Sequence, residues 1–397
     1  MKYKGLVLAD LHIDVKDIYH MYHEITEVLF KYIESLDKLD FLIVCGDYFD
    51  HKEFLNDSGS YYSYKILDEL FTLIYDKMKF NTKIRFVYGT ESHECNQYDI
   101  LETLIHDRDI KLIRYASEEE LFPNVQVLYL PEEHLENPDK YYSEFLNNER
   151  KYNYIFGHGI IQEIMKEACV AQNNSSKRKR VPIFTVGMLL KMCKGQTYFG
   201  HYHINSEIDD SIFYVGSFTR WQFGEEEPKG FYEITYDDEK DSYKNEFIEN
   251  YLAPTYKTIS YGYGDTMFNS IDTMETKLKS VDKMIKDGVF DNVRLQFNIP
   301  TTSENPEMLI KFIKDKYKFN KNIKTNIVHG YIAEKEEKSK EVINEKLQKY
   351  GVLFDKSVSI EDKVSQFIDI EFSRKIEPKK VSMYLYKSLS DIMNNKE

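Results

Sequence analysis

The chain has 397 residues, of which 42% are hydrophobic, and its formal net charge is −14 at pH 7. This length allows two or three domains with a sizeable core. The acidic balance excludes a uniformly basic surface, so any DNA contact must come from local basic patches or from bound divalent cations. The four cysteines lack a Cys-x-x-Cys spacing, which favours a reducing compartment. No apolar run is long enough for a signal peptide or a membrane span, and we therefore expect a cytoplasmic protein.

The first half of the chain alternates apolar strands with amphipathic helices. Apolar runs predict buried strands at Leu6–Ala9, Phe41–Cys45 and Ile84–Tyr88. Apolar residues spaced by three and four predict helices over 18–36 and 64–78. This order predicts an α/β fold with a parallel or mixed sheet. In such sheets ligands collect at the carboxyl ends of the strands, so the loops after these strands should meet at one edge.

The predicted strands end in loops that carry aspartate or histidine. Two later apolar runs, Tyr154–Phe156 and Tyr198–Phe199, lead into Gly-His pairs. A glycine at these positions permits a sharp turn and a close approach of the backbone. The strand ends together offer two carboxylates and four imidazoles: Asp10, His12, Asp47, His158, His201 and His203.

These donors suit a metal centre. Mixed nitrogen and oxygen ligands fit Mn²⁺, Fe or Zn²⁺ better than the all-oxygen sites typical of Ca²⁺ or Mg²⁺. Six or seven ligands are too many for one catalytic ion, and their number predicts a binuclear centre that hydrolyses phosphoesters. His93 lies beside the third strand end and is our candidate for the catalytic group that protonates the leaving oxygen.

A basic run lies between the last two strand ends. It consists of Lys177, Arg178, Lys179 and Arg180. Two interpretations remain open: the run is a solvated loop, or it contacts the phosphate backbone of DNA.

The pattern of strand ends stops near Ala253. We expect a first domain over residues 1–253 and a small α/β domain over 254–335, whose lysines could face DNA. Residues 336–397 are predicted to form a charged linker and two short amphipathic helices. These helices either dock back on the protein or bind the helices of a partner.

The ordered motifs resemble those of the calcineurin-like metallophosphoesterases. That family's Asp-x-His, Gly-Asp, Gly-Asn-His-Asp/Glu, Gly-His and Gly-His-x-His motifs have counterparts at Asp10–His12, Gly46–Asp47, Gly89–Glu94, Gly157–His158 and Gly200–His203. Within the superfamily, the segment Gly216–Glu225 is similar to the one that follows the last metal motif in SbcD-type double-strand-break-repair nucleases. The richness in lysine, tyrosine and asparagine is similar to that of recombination nucleases of large bacteriophages, for which the compartment would be the host cytoplasm.

The resemblance implies a two-sheet sandwich flanked by helices, with a small α/β cap domain and C-terminal helices. It also implies two Mn²⁺ ions, or Mg²⁺ in their place, and a 3′ to 5′ exonuclease and single-strand endonuclease acting on DNA. The implied partners are an SbcC-like SMC-family ATPase, bound through the C-terminal helices, and a second copy of the chain. The implied ligands of one metal are Asp10, His12, Asp47 and His203, and those of the other are Asp47, His158 and His201.

One position departs from the family. The metal-binding asparagine of the family directly precedes the catalytic histidine, and Ser92 stands there, after the two extra residues Thr90 and Glu91. A serine hydroxyl is a poorer ligand than an amide oxygen. Ser92 is therefore a candidate ligand, with Glu91 or water as alternatives for the second metal.

Two other functions remain open. A phosphomonoesterase or small-molecule phosphodiesterase could use the same residues, and a non-catalytic scaffold could hold an ATPase on the same fold.

Overall fold

The computed structural model describes residues 1–13, 18–51, 58–94, 97–98, 102–105, 107–133, 135–146, 152–164, 182–262, 266–300, 303 and 305–329. The chain forms two compact units. The first comprises residues 1–258 and 284–294, and the second comprises residues 259–283 and those from Leu295 onward. The boundaries expected at residues 253 and 335 stay predictions. The predicted linker and helices of 336–397 lie outside the described residues.

Within the described residues the strands are β1 (Lys2–Leu8), β2 (Phe41–Cys45), β3 (Lys83–Val87), β4 (Ile110–Ile113), β5 (Ser117–Phe122), β6 (Val125–Leu130), β7 (Tyr152–His158), β8 (Ile160–Ile161), β9 (Ile183–Phe184), β10 (Cys193–Gly200), β11 (Ser206–Asp209), β12 (Ile212–Tyr214), β13 (Gly230–Asp237), β14 (Ser242–Glu249), β15 (Tyr256–Tyr261), β16 (Asn292–Ile299) and β17 (Ile323–His329). The α-helices are α1 (Ile18–Glu24), α2 (Lys31–Ser35), α3 (Ser58–Phe71), α4 (Glu102–Ile105), α5 (Pro138–Leu146), α6 (Val186–Met192), α7 (Ile271–Lys286) and α8 (Pro306–Tyr317). A π-helical segment, Ile25–Phe30, joins α1 to α2, and another, Thr72–Lys77, extends α3. Short 3₁₀ turns lie at Gln162–Ile164 and Thr266–Asn269.

The first unit is built on two mixed β-sheets. As far as the structure describes the chain, each has six strands, in the orders β14-β13-β1-β2-β3-β4 and β11-β12-β10-β7-β6-β5. Strands β1 to β4 are mutually parallel in the first sheet, and β12, β10, β7 and β6 are parallel in the second. The remaining strands pair antiparallel at the edges. The prediction of an α/β fold with mixed sheets is confirmed.

The two sheets pack face to face over an apolar core. Val7 of β1 and Ile43 of β2 belong to the same buried cluster as Phe156 of β7. Because side chains alternate along a strand, Leu6 and Leu8 point to the other face, where they pack with α1 and α3. The outer face of the second sheet packs against α5 and α6. Each sheet is therefore covered by helices on one side and by the other sheet on its inner side.

The second unit contains the amphipathic helix that the sequence predicts. Helix α8 buries Leu309 and Ile313 and exposes Lys311 and Lys314. Strands β15, β16 and β17 form a three-stranded sheet in that order. The contact of these lysines with DNA stays a prediction.

An ion pair crosses between the two sheets. The fully buried side chain of Arg85 on β3 donates from Nε and Nη2 to the carboxylate of Glu119 on β5, at 2.8 Å each. Its Nη1 lies 2.9 Å from the Asp109 carboxylate. Burial opposes the ionised form of Glu119, but the hydrogen bonds from Arg85 and Lys111 outweigh it and lower the pKa of Glu119 to about 2.

We expect Glu119→Gln to reduce the free energy of unfolding by about 3 kcal/mol near neutral pH, because the buried Arg85 loses half of its compensation. A glutamate in the unfolded chain has a pKa of about 4.3, above the folded value. The stabilisation by Glu119 is therefore complete above about pH 5 and is lost as the pH falls towards the folded pKa. Urea unfolding should show a difference in the free energy of unfolding between wild type and variant, and this difference should become smaller as the pH is lowered.

The control is Lys31→Met, which removes an exposed ion pair with Glu27. We expect no measurable change in unfolding for this variant. If the difference in the free energy of unfolding between wild type and Glu119→Gln does not change with pH, ionised Glu119 does not stabilise the protein in the way described.

Candidate metal centre

The functional side chains lie where parallel strands of both sheets end. The first sheet contributes the residues that follow β1, β2 and β3, and the second contributes those at the ends of β6, β7 and β10. Since the sheets pack face to face, both sets of strand ends share one rim, as expected for ligand sites in such sheets. The ligand atoms come together in four overlapping groups: Asp10, His12 and His203; Asp10, Asp47 and His158; Glu132, His158 and His201; and His12, Asp50 and His93.

The backbone at this rim adopts conformations that are rare for residues other than glycine. Asp10, His12, Asp47 and His201 have φ angles of 47°, 44°, 49° and 99°. Positive φ is uncommon for side-chain-bearing residues and concentrates at functional sites. Gly89 allows a close approach of the two loops, because a Cβ there would lie 2.2 Å from Asp47 Oδ1. The backbone is therefore strained at the positions where the side chains of the two sheets come together.

The first group contains a histidine whose tautomer can be assigned. His12 Nδ1 lies 3.2 Å from Asp50 Oδ1, so Nδ1 carries the proton and donates to the carboxylate. His12 Nε2 is buried and has no hydrogen-bond partner, and it lies 3.6 Å from Asp47 Oδ2. An orphaned lone pair that faces carboxylates fits a cation.

The second group surrounds His158, which is fully buried. Its Nδ1 donates to the Cys45 carbonyl at 2.9 Å, and its Nε2 lies 3.3 Å from Asp47 Oδ2. His201 Nδ1 lies 3.1 Å from Glu132 Oε2. The backbone amide of His201 donates to both carboxylate oxygens of Asp10, at 3.0 and 3.1 Å. Asp10 is thereby fixed between the two sheets.

The electrostatics of the rim reflect buried charges of opposite sign. Burial alone would lower the pKa of His158, but the Asp47 carboxylate raises it well above its usual value. Burial alone would raise the pKa of Asp47, but His158 lowers it below its usual range. In the same way, His201 and His158 outweigh burial and lower the pKa of Glu132. Asp47 and Glu132 thus stay ionised although both side chains are buried.

His93 lies beside the first group. Its Nδ1 donates to the carbonyl oxygen of Asp50, and its ring stands edge-on to that of His12, with centroids 4.7 Å apart. This hydrogen bond holds the proton on Nδ1 and leaves Nε2 for a substrate. The structure thus places His93 beside the first group, and its catalytic role stays a prediction.

The structure brings Thr90, rather than Ser92, beside the carboxylates. Ser92 and Glu91 are exposed. The Thr90 amide donates to Asp47 Oδ1 at 2.6 Å, and Thr90 Oγ1 lies 3.2 Å from Asp47 Oδ2. Glu94 folds inward, where it accepts hydrogen bonds from the amides of Tyr48 and Gly89 at 2.6 Å each. The residue of this loop that lies beside Asp47 is therefore Thr90, two positions before Ser92, which the family motif aligns with the asparagine.

The segment that follows β12 supports His203. Glu225 Oε1 lies 3.4 Å from His203 Nδ1, and Lys229 Nζ donates to the His203 carbonyl at 2.6 Å. Trp221 packs edge-on against the rings of His12 and His203, with centroids 4.8 and 4.6 Å away. This is the stretch whose sequence resembles SbcD-type nucleases, and it holds a residue of the first group in place.

Sequence reasoning missed Glu132 and Asp50 as members of the cluster. Glu132 follows β6, whose apolar run Val125–Leu130 ends in Pro131 and two glutamates. This is the same signal as at the other strand ends, but it lacks the glycine and the histidine that mark them. The basic run Lys177, Arg178, Lys179 and Arg180 lies outside the described residues, so its contact with DNA stays a prediction.

Comparison of the sequence with protein-family models and with curated proteins found no match. None of the helices in the described part of the chain is both long enough and apolar enough to cross a bilayer. The family resemblance stays a prediction, and the case for a function rests on the geometry of the rim.

Glu225 offers a test of how His203 is held. We expect Glu225→Gln to weaken the binding of one Mn²⁺ ion about tenfold, because the neutral amide orients the imidazole less firmly and makes it a weaker ligand. Titration with Mn²⁺, followed by the electron paramagnetic resonance of the free ion, measures the affinity.

The matched control is Glu226→Gln, which removes a charge from an exposed neighbour that pairs with Lys257. Its Mn²⁺ affinity should equal that of wild type. Equal affinities for all three proteins would show that Glu225 does not position His203.

Proposed function

We propose that this chain is a Mn²⁺-dependent DNA nuclease of the calcineurin-like metallophosphoesterase type, and the nuclease subunit of an SbcC/SbcD-like recombination and repair complex. The observation that carries the proposal is the convergence of aspartates, a glutamate and histidines from six strand ends of two sheets. Mn²⁺ fits a donor set of this kind, and Mg²⁺ is possible in its place.

The residues divide into two neighbouring donor sets. His12, His203 and Asp10 face one position, and His158, His201 and Asp47 face the other. When bound, two divalent cations would stabilise the charge of a phosphodiester in the transition state and supply a nucleophilic water at neutral pH. Asp47 lies within 3.6 Å of a histidine from each set, which suits a carboxylate shared between both positions.

His93 is assigned the proton transfer to the leaving oxygen. Its Nδ1 is held by the Asp50 carbonyl, so a protonated ring would present its second proton on Nε2. A positioned imidazole of this kind contributes about 10²-fold to 10⁴-fold to a rate. His93 thus acts as general acid beside the donor sets, without belonging to either of the two positions.

The choice of a nuclease over other phosphoesterases rests on the segment Gly216–Glu225. Its sequence is similar to the SbcD-type segment, and Trp221 and Glu225 contact His12 and His203. DNA contacts through the domain 254–335 and the basic run, an SMC-family ATPase bound by residues 336–397, a homodimer and a cytoplasmic location belong to the same proposal through the family resemblance.

The test is digestion of end-labelled single-stranded and double-stranded DNA with Mn²⁺, with and without an SbcC-like ATPase. We expect nucleotides to be released from 3′ ends and single strands to be cut internally, with no reaction in the presence of a chelator. A panel of p-nitrophenyl phosphate and cyclic nucleotides is run alongside. Faster hydrolysis of the panel than of DNA would replace the nuclease with a small-molecule phosphoesterase, and no hydrolysis of any substrate would favour a scaffold.

The role of His93 has its own test. We expect His93→Ala to lower the rate of DNA cleavage at least 10²-fold while Mn²⁺ uptake is unchanged, because the variant loses the general acid and keeps both donor sets. His23→Ala, at an exposed histidine of α1, serves as the control and should cleave at the wild-type rate. Cleavage by His93→Ala at the rate of the control would refute the role.

A further inference from the structure

The second sheet contributes a carboxylate that the strand-end motifs do not include. Glu132 follows β6 directly after Pro131, and its amide donates to the Tyr88 carbonyl at 3.2 Å. Tyr88 immediately precedes the Gly89–Glu94 loop, so this hydrogen bond ties Glu132 to the loop of the first sheet. The side chain of Glu132 is 2% exposed and lies at the rim between the two sheets.

Glu132 faces the ligand atoms of the second position. Its Oε2 lies 3.1 Å from His201 Nδ1, 3.7 Å from His158 Nε2 and 3.4 Å from Thr90 Oγ1. Asp47 Oδ2 lies 3.3 Å from the same His158 nitrogen. One carboxylate oxygen from each sheet therefore points at the same imidazole atom.

An ion pair with His158 alone does not account for this arrangement. His158 Nδ1 already donates to the Cys45 carbonyl, so the neutral ring has only a lone pair on Nε2. Two carboxylate oxygens and a nitrogen lone pair would then face one another in a buried site, which is costly unless a cation lies among them. A single proton on Nε2 can serve only one of the two carboxylates, and the other neighbours of Glu132, His201 Nδ1 and Thr90 Oγ1, belong to the same cluster.

The alternatives for this position are less suitable. Ser92 and Glu91 are exposed. Thr90 contributes a neutral hydroxyl that already lies at hydrogen-bond distance from Asp47.

We infer that Glu132 is a ligand of the second cation and stands in for the neutral amide expected from the asparagine of the family motif. This inference rests on the proposed metal-dependent function. A carboxylate in place of an amide adds one negative charge to the second donor set, and the whole rim then holds three carboxylates: Asp10, Asp47 and Glu132. It should make binding of the second ion tighter and raise the tolerance for Mg²⁺, which prefers oxygen ligands.

The experiment measures Mn²⁺ binding without DNA. Equilibrium dialysis gives the number of bound ions and their affinities, and the spin-coupled resonance signal of two adjacent Mn²⁺ ions reports a binuclear centre. The variant Glu132→Gln keeps the shape of the side chain and removes its charge, and Glu91→Gln removes the same charge from the adjacent loop at an exposed position.

We expect two bound ions and the coupled signal for wild type and for Glu91→Gln. For Glu132→Gln we expect one ion with wild-type affinity, a second weakened at least tenfold, and loss of the coupled signal at low Mn²⁺ concentration. Retention of the first ion by this variant also shows that the rim is folded, and Glu132→Asp should recover part of the affinity for the second.

Two ions of unchanged affinity in Glu132→Gln, or the loss of one ion in Glu91→Gln, would overturn the inference. A wild-type protein that binds no Mn²⁺ would overturn both this inference and the proposed function. If Glu132→Gln alone loses the second ion and wild type still fails to cut DNA, the nuclease proposal falls and the assignment of Glu132 stands.

Discussion

The charge of Asp47 is the feature on which both halves of the rim depend. Its side chain is almost completely buried, so water cannot stabilise its ionised form and the balance must come from neighbouring groups. Those neighbours are His12, which follows β1 in the first sheet, and His158, which ends β7 in the second. A single carboxylate thus connects the strand ends of the two sheets.

The hydrogen-bond acceptors beside the imidazoles determine how these rings are oriented. Asp50, the Cys45 carbonyl and Glu225 lie beside the Nδ1 atoms of His12, His158 and His203, respectively. Each acceptor favours the tautomer with its proton on Nδ1, which turns the lone pair of Nε2 towards the rim. The supports come from two stretches of chain, the end of β2 with the loop after it and the segment after β12, so the donor sets are oriented before any ligand arrives.

The sequence predicted the strand ends because their signal is local. A continuous apolar run followed by glycine and an aspartate or histidine is visible within ten residues, as at Phe41–Asp47. Glu132 was missed because its strand ends in proline instead of glycine. Thr90 was assigned no role because the spacing of the family motif aligns Ser92 with the asparagine, and only the folded loop shows which hydroxyl reaches Asp47. The Arg85–Glu119 pair joins different sheets, and no local pattern reveals such a contact.

The Arg85 ion pair and the charged rim differ in how their buried charges are compensated. The buried charge of Arg85 is compensated within the protein, because its guanidinium contacts the carboxylates of Glu119 and Asp109. The Arg85–Glu119 pair therefore stabilises the packed sheets without any ligand. The rim gathers three carboxylates around imidazoles that are already oriented. Under the proposed function, a cation that binds only the folded state would stabilise this site, because it would compensate the buried carboxylates. The apolar core between the sheets packs them together independently of these charges, through side chains such as Val7, Ile43 and Phe156.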